Sequence, residues 1–277
     1  MTQAPTTATR PLYVVPHTHW DREWYRPFEA YRYRLVETLD GLLAADLPYF
    51  LLDGQTVVLD DYLAIRPEQR GEIESRVKQG RLGVGPWYVL VDEFLVSGES
   101  LVRNLLEGRR GMAAFGASGG VGYLPDMFGH IAQMPQLLRG FGLERAIVWR
   151  GANPGASRFV WASPDGSEVQ TAWLPMGYYQ TMFLVELSAE ERLKQVEAYA
   201  ASFGADEPVM LLSGADHMAP RADLLAQLAE VNRHLPLEAK VATLAEALAG
   251  PRPTVVLEGE LRDRAKAYIL PGVLSAR

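Results

Sequence analysis

The chain has 277 residues, of which 48% are hydrophobic and 22% are charged, a composition typical of a globular protein with a sizeable core. Its formal net charge of -7 argues against nucleic acid as the main partner, because phosphate binding requires a basic surface. It contains no cysteine, which excludes disulfides and thiolate metal sites, and no apolar run is long enough to span a membrane, so we expect a cytoplasmic enzyme.

Past a Thr- and Ala-rich tail over residues 1–10, which we predict to be disordered, short apolar segments alternate with amphipathic ones. The apolar segments predict buried strands and the amphipathic segments predict helices. In the first half the order is strand Leu12–Val15, helix Phe28–Ala45, strand Tyr49–Leu52, helices Thr56–Ile65 and Pro67–Gln79, strand Leu82–Leu90, a helix capped by Ser97 that ends near Gly116, and strand Val121–Leu124. The second half is helix Ile131–Arg139, strand Ala146–Trp149, a hairpin of Phe159–Trp161 with Glu168–Trp173, a capped helix from Ser188 to about Ser202, strand Val209–Leu212, and helices Arg221–His234 and Thr243–Ala249. A last strand is expected after Val255.

This alternation of strands and helices predicts an α/β fold with a parallel sheet. A count of about six or seven strands favours a closed or nearly closed β/α barrel over a Rossmann sheet. No Gly-x-Gly-x-x-Gly turn follows the first strand, which argues against dinucleotide binding. We assign residues 11–250 to the barrel and expect residues 251–277 to begin a segment that leads to later domains.

Side chains capable of chemistry follow the predicted strands directly. They are His17, His19 and Asp21 after the first strand, Asp92 and Glu93 after the third, Asp126, Phe128 and His130 after the fourth, Arg150 after the fifth, and Asp216 and His217 after Val209–Leu212. Because ligands of parallel α/β folds bind at the carboxyl ends of the strands, we expect these side chains to meet. Of the five histidines, only His234, near a helix end, is predicted to lie on the surface.

Several carboxylates at one barrel mouth repel one another, and a divalent cation relieves this repulsion. Mixed histidine and carboxylate ligands suit zinc better than calcium or magnesium. Aromatic residues at the same end, with Trp24 the best candidate, indicate a stacking surface for a sugar ring. The alternatives are that these aromatics only cover the core, and that the first cluster is a polar loop with one solvated histidine.

Four segments together resemble glycoside hydrolase family 38, the zinc-dependent α-mannosidases. They are His17–Trp24, Gly85–Tyr88 with Asp92 and Glu93, Ser97–Arg103, and Pro125–His130. The resemblance runs in order from about Tyr13 to the C-terminus. It implies a seven-stranded β/α barrel and a retaining glycosidase, which hydrolyses terminal α-mannosides of an oligosaccharide or glycan through a covalent aspartyl-glycosyl intermediate.

The resemblance also implies a role for each matching residue. These roles are nucleophile for Asp126, acid/base for Asp216, zinc ligand for His19, Asp21 and Asp126, sugar contact for Trp24 and Phe128, and orientation of the nucleophile for Arg150. We also predict that Arg150 and Asp92 belong to the substrate-binding residues. For Asp92, as for Glu93 and His130, a supporting role is the favoured interpretation. The family usually supplies a further zinc histidine before a Ser-x-Arg segment near the C-terminus, and residues 267–277 contain none; either His217 replaces it or the site is more open.

Retaining catalysis sets an expectation for each carboxyl. Zinc and Arg150 should lower the pKa of the nucleophile Asp126, and Asp216 should lie in drier surroundings that raise its pKa. Two rival functions are a metal-dependent hydrolase resembling carbohydrate deacetylases and a truncated barrel that binds sugar and zinc without turnover. Since family members are much longer, we also expect exposed apolar surface that favours a homo-oligomer.

Overall fold

The computed structural model describes residues 9–205, 207–219 and 221–269. Strands and helices alternate along them, as the sequence predicts. In chain order the elements are β1 (Arg10–Thr18), α1 (Phe28–Ala44), β2 (Phe50–Leu52), α2 (Val57–Leu63), a 3-10 turn (Pro67–Gln69), α3 (Arg70–Lys78), β3 (Leu82–Gly83), α4 (Gly98–Ala114), β4 (Gly122–Leu124), α5 (Met134–Gly140), β5 (Arg145–Val148), β6 (Arg158–Ala162), β7 (Glu168–Trp173), α6 (Ala189–Ala200), β8 (Val209–Ser213), α7 (Leu224–His234), β9 (Leu237–Val241), α8 (Leu244–Ala247) and β10 (Val256–Glu258).

The strands form two sheets of five strands each, and nearly all pairings are parallel. The first sheet has the order β3-β2-β1-β8, with β9 also paired to β1. The long strand β1 pairs with β8 on one edge. On its other edge, the N-terminal half of β1 pairs with β9 and its last two residues pair with β2. The second sheet has the order β10-β6-β7-β5-β4, and β6 with β7 is its antiparallel hairpin. The prediction of an α/β fold with mostly parallel strands is therefore confirmed.

Contacts join the two sheets, and two of them involve residues just beyond the strands. The indole of Trp87, beyond β3, donates to the carbonyl of Tyr123 in β4 at 3.0 Å, and Gln180, beyond β7, bridges to Ser213 in β8. A buried cluster draws side chains from both sheets and includes Val15, Leu51, Tyr123, Ile147 and Leu212. No closed ladder joins the sheets within the described ranges, so the seven-stranded barrel stays a prediction.

Helix ends follow the predicted capping. The Ser97 side chain accepts the Ser100 N–H at the start of α4, and Ser188 with Glu191 forms the capping box of α6. His234, the last residue of α7, is exposed as predicted. In the described part of the chain no helix is both long and apolar enough to cross a membrane.

The strand predictions needed three corrections. The predicted strand Leu82–Leu90 ends at Gly83, because Gly85 has a φ of 69° and Pro86 lacks the N–H that a ladder requires. The strand β9 was not predicted, since two of its five side chains are exposed charges and its buried apolar residues are few. Arg10, assigned to the tail, already belongs to β1, whereas residues 1–8 and 270–277 lie outside the described residues.

Candidate active site

His19 stands at the centre of the predicted cluster, just beyond β1. Its Nδ1 lies 3.2 Å from a carboxylate oxygen of Asp53. Its Nε2 lies 3.5 Å from Oδ1 of Asp21 and 3.8 Å from Oδ2 of Asp126. The structure thus brings together His19, Asp21 and Asp126, which come from the ends of β1 and β4.

Charge is concentrated around this buried imidazole. Burial opposes protonation of His19, but the carboxylates of Asp53 and Asp21 outweigh burial and raise the pKa of His19 well above its usual range. Burial likewise works to raise the pKa of Asp21, and the hydrogen bond with His19 reverses this and lowers it. The cluster therefore favours positive charge at its centre, whether carried by a proton or by a metal ion.

Asp126 is oriented by Arg150, as the resemblance implies. The guanidinium contacts Oδ1 of Asp126 through Nε at 2.8 Å and Nη2 at 2.7 Å, and it lies 4.3 Å above the ring centre of Phe128. Burial nevertheless raises the pKa of Asp126, with a further contribution from Asp216, although His19 and Arg150 act to lower it. Desolvation therefore outweighs the lowering expected from Arg150, and the lowering expected from zinc stays a prediction.

Asp216 accepts a hydrogen bond that the sequence did not predict. The phenol of Tyr178 donates to Oδ1 of Asp216 at 2.9 Å, and its ring centre lies 5.0 Å from that of His19. Burial and then the charges of Asp126 and Asp216 raise the pKa of Tyr178, so the phenol keeps its proton. Asp216 is half-buried, as is Asp126, so burial does not distinguish the two carboxyls and drier surroundings for Asp216 stay a prediction.

His217 lies against the first cluster but is engaged by backbone. Its Nε2 lies 3.1 Å from the amide nitrogen and 3.0 Å from the carbonyl oxygen of Asp21, and 3.8 Å from Oδ2 of Asp21. Its ring stacks on Tyr31 with centres 4.2 Å apart. Burial lowers the pKa of His217, which favours the neutral ring that a metal needs, but ligation would require Nε2 to leave this backbone. His217 as a ligand stays a prediction.

Asp92 and Glu93 fix the loop that carries Asp126. Asp92 accepts the Phe128 N–H at 3.1 Å. Glu93 is buried and contacts Nδ1 of His130 at 2.6 Å, while its second oxygen accepts the Ile131 N–H at 2.9 Å. These contacts are those of supporting residues; substrate contact by Asp92 stays a prediction.

The remaining predicted residues divide into exposed and buried ones. Trp24 is 64% exposed and meets Tyr25, which is 86% exposed, edge to face, so an aromatic face is open to a ligand. Trp87, by contrast, is fully buried and covers the core. His17 is buried, with its ring nitrogens 3.0 Å from the Tyr178 carbonyl and 3.3 Å from the Tyr123 hydroxyl, which leaves it outside the group around His19.

The donors suit zinc in kind, but they stand further apart than the ligands of a bound ion. In residues 9–205, 207–219 and 221–269, no three His, Asp or Glu side chains are arranged to hold an ion as they stand. The nitrogen of His19 is nevertheless 3.5 and 3.8 Å from oxygens of Asp21 and Asp126, and ligand atoms on tetrahedral zinc are about 3.3 Å apart. Shifts of a few tenths of an ångström would bring each carboxylate to that separation from the imidazole.

Comparisons with known proteins agree on one family. Residues 10–250 match the N-terminal domain of glycosyl hydrolases family 38. A protein of Halalkalibacterium halodurans named "Putative mannosylglycerate hydrolase" is 36% identical over 239 residues, which cover 76% of this chain and 26% of that relative. An α-mannosidase structure from Enterococcus faecalis V583 has a TM-score of 0.84 and 32% identity over 91% of this chain and 31% of its own.

A third comparison concerns the fold alone. The structure of a probable polysaccharide deacetylase from Pseudomonas aeruginosa PAO1 has a TM-score of 0.55 at 13% identity, and the match covers 88% of this chain and 91% of that one. This chain spans less than a third of the length of the mannosylglycerate relative and of the solved mannosidase.

Proposed function

We propose that this chain, which belongs to family 38 of the glycosyl hydrolases, supplies the catalytic site of a retaining, zinc-dependent α-mannosidase. One observation carries the proposal. Asp126 is held by Arg150 through Oδ1, faces His19 through Oδ2, and is close enough to Asp216 to sense its charge. A retaining glycosidase requires two such carboxyls, one on each side of the bond that breaks.

Asp126 acts as the nucleophile in the first step. Its ionised carboxylate attacks the anomeric carbon of the terminal mannose, and a carbon–oxygen bond forms as the glycosidic bond breaks with its electron pair leaving on the aglycone oxygen. The hydrogen bonds from Arg150 keep the carboxylate in place and favour its ionised form.

Asp216 acts as acid and then as base. Its carboxyl gives a proton to the departing oxygen; later its carboxylate takes a proton from water, whose oxygen attacks the anomeric carbon and releases Asp126. Because Tyr178 donates to Oδ1 of Asp216, Oδ2 is the oxygen left to carry that proton. The two displacements together retain the configuration of the sugar.

The metal would be held by His19, Asp21 and Asp126, with His217 as the candidate for a further ligand. Zinc supplies Lewis acidity and a fixed point that orients sugar hydroxyls. The exposed face of Trp24 and the ring of Phe128 would pack on the apolar face of the sugar.

The aglycone is the part of the substrate on which the relatives differ by name. The Halalkalibacterium relative is named for mannosylglycerate, a mannoside with a small acidic aglycone, whereas the Enterococcus structure is named an α-mannosidase. We propose an α-mannoside as substrate and include mannosylglycerate among the compounds to be assayed.

For the fold, we propose that β1, β2, β3, β4, β5, β7 and β8 close into the predicted barrel. Support comes from the contacts of Trp87 with Tyr123 and of Gln180 with Ser213, and from the shared buried cluster. A cytoplasmic location and a homo-oligomeric state stay predictions.

The test is hydrolysis of an aryl α-mannoside, measured before and after a chelator and again after zinc is restored. We expect metal-dependent turnover that Asp126→Asn abolishes, while the matched variant Asp165→Asn, in an exposed turn, keeps it. A fluorinated mannosyl substrate should label Asp126. Turnover by Asp126→Asn would overturn the nucleophile assignment, and metal-dependent release of acetate from an acetylated sugar without labelling would favour the deacetylase-like alternative.

A further inference from the structure

Asp53 is a fully buried carboxylate that the steps above do not use. It follows β2 directly and has 0% exposure. Its Oδ2 accepts the Trp20 N–H at 2.7 Å and the side-chain amide N–H of Gln55 at 2.7 Å, while Oδ1 lies 3.2 Å from Nδ1 of His19. A buried carboxylate is costly, so these three partners are what keep it in place.

The backbone at Asp53 is strained as well. Its φ is 45°, a left-handed conformation that costs about 1 kcal/mol or more in a residue other than glycine. Glycine would adopt this conformation without that cost. The strained backbone is explained if the position of this carboxylate is needed at the site.

Gln55 holds Asp53 from its other side. The amide nitrogen of Gln55 donates to Asp53 and to the Trp20 carbonyl at 2.8 Å, and its oxygen accepts the Leu90 N–H at 3.0 Å. The network therefore connects the ends of β1 and β2 with the segment beyond β3. Rotation of the Asp53 carboxylate away from His19 would also disrupt its hydrogen bonds with the Trp20 N–H and the Gln55 side chain.

We propose that Asp53 is a positioning residue for the metal site, which sets the orientation and tautomer of His19 so that Nε2 is presented to the metal. The inference depends on the zinc site of the proposed function. An ionised carboxylate only accepts hydrogen bonds, so the hydrogen of the neutral imidazole belongs on Nδ1. The lone pair of Nε2 then faces Asp21 and Asp126, at 3.5 and 3.8 Å.

The substitution Asp53→Asn separates this role from simple turn-holding. The amide oxygen can still accept the Trp20 N–H, but the amide NH2 would then face Nδ1 of His19. Nδ1 must accept that hydrogen bond, which moves the imidazole hydrogen to Nε2 and removes the lone pair that zinc needs. A residue that only holds the turn would change stability and leave metal affinity alone.

The experiment measures zinc affinity by competition with a chromogenic chelator, and thermal unfolding of the metal-free protein, for the full chain and its variants. We expect Asp53→Asn to weaken zinc binding 10- to 100-fold, roughly the effect of losing such a partner. The matched control Asp40→Asn, a half-buried carboxylate bonded to Tyr62 and Arg66, should bind zinc as the wild type does.

The outcomes are distinguishable. Failure of the wild-type chain to bind zinc would overturn both the metal of the proposed function and this role of Asp53. Zinc binding that Asp53→Asn leaves unchanged would overturn the role of Asp53 alone. If the variant does not fold, nitrogen-15 NMR of the zinc-loaded wild type decides: hydrogen on Nδ1 of His19 supports the proposal, and hydrogen on Nε2 refutes it.

Discussion

Glu93→Ala tests whether the buried carboxylate of Glu93 stabilises the loop that carries Asp126. Glu93 and His130 have side chains with 0% exposure and lie 2.6 Å apart, and Glu93 also accepts the Ile131 N–H at 2.9 Å. The substitution leaves the buried Nδ1 of His130 and the partly buried Ile131 N–H without this partner, at about 1–3 kcal/mol for each buried group that stays unsatisfied. Nε2 of His130 is also buried and has no hydrogen-bond partner among the described residues, so Glu93 is the only side chain to which this imidazole is hydrogen-bonded in the described part of the chain.

The expected loss of unfolding free energy is therefore about 3–5 kcal/mol, the range found when one member of a buried pair is removed. For a domain of this size the melting temperature should fall on the order of 10 °C. Urea titration at fixed metal concentration measures the loss, and linear extrapolation with an unchanged slope is required for its interpretation.

The control is Glu99→Ala, which removes an exposed carboxylate paired with Arg103 in α4. Exposed pairs of this kind contribute little, so a loss below about 0.5 kcal/mol is expected. Equal losses for Glu93→Ala and Glu99→Ala would refute the reasoning, since burial is the only basis for treating the two carboxylates differently.

Two further predictions concern catalysis. Arg150→Met removes two charge-assisted hydrogen bonds to Asp126 and should lower kcat about 10- to 100-fold. Arg150 also acts to lower the pKa of Asp126, and a nucleophilic carboxylate must be ionised. The acidic limb of the kcat/KM profile should therefore move to higher pH in this variant. An acidic limb that stays in place would contradict this. Tyr178→Phe removes the hydrogen bond to Asp216. It should slow the hydrolysis of mannosides with poor leaving groups about tenfold and that of dinitrophenyl mannoside much less, whereas the control Tyr179→Phe, at a 50% exposed position, should slow neither. Equal slowing of both substrates by Tyr178→Phe would rule out a role of Tyr178 in proton transfer.

Much of the architecture followed from the sequence because the relevant forces are local. Hydrophobic periodicity located the helices, and the boundaries of α1 differ from the prediction by one residue. Polar residues directly after buried segments identified the ends of β1, β4, β5 and β8, where His19, Asp126, Arg150 and Asp216 lie. Strands were predicted less well than helices. The strand β3 has only two residues, and β9 alternates two exposed charged residues with only two buried ones, Leu237 and Ala239.

The supporting residues could not be predicted, because hydrogen-bond partners far apart in sequence are selected only in the folded chain. Asp53 is 34 residues from His19, and Tyr178 is 38 residues from Asp216. Asp53 appears in the sequence as one more turn residue before a glycine, and Tyr178 as one of two adjacent tyrosines. The rise that burial causes in the pKa of Asp126 was also missed, since the sequence does not show how deeply a carboxyl is buried.

The candidate active site depends on how the two sheets are placed against each other, because its residues come from both. His19, Asp21 and Asp216 lie at the strand ends of the first sheet, and Asp126 with Arg150 lies at those of the second. The 3.8 Å approach of His19 to Asp126 is thus a contact between sheets. A small displacement of one sheet against the other would separate Asp126 from His19 and from Asp216 while every helix stayed folded. Metal bound between His19 and Asp126 would resist that displacement, so zinc should stabilise the relation between the sheets more than the helices within either half.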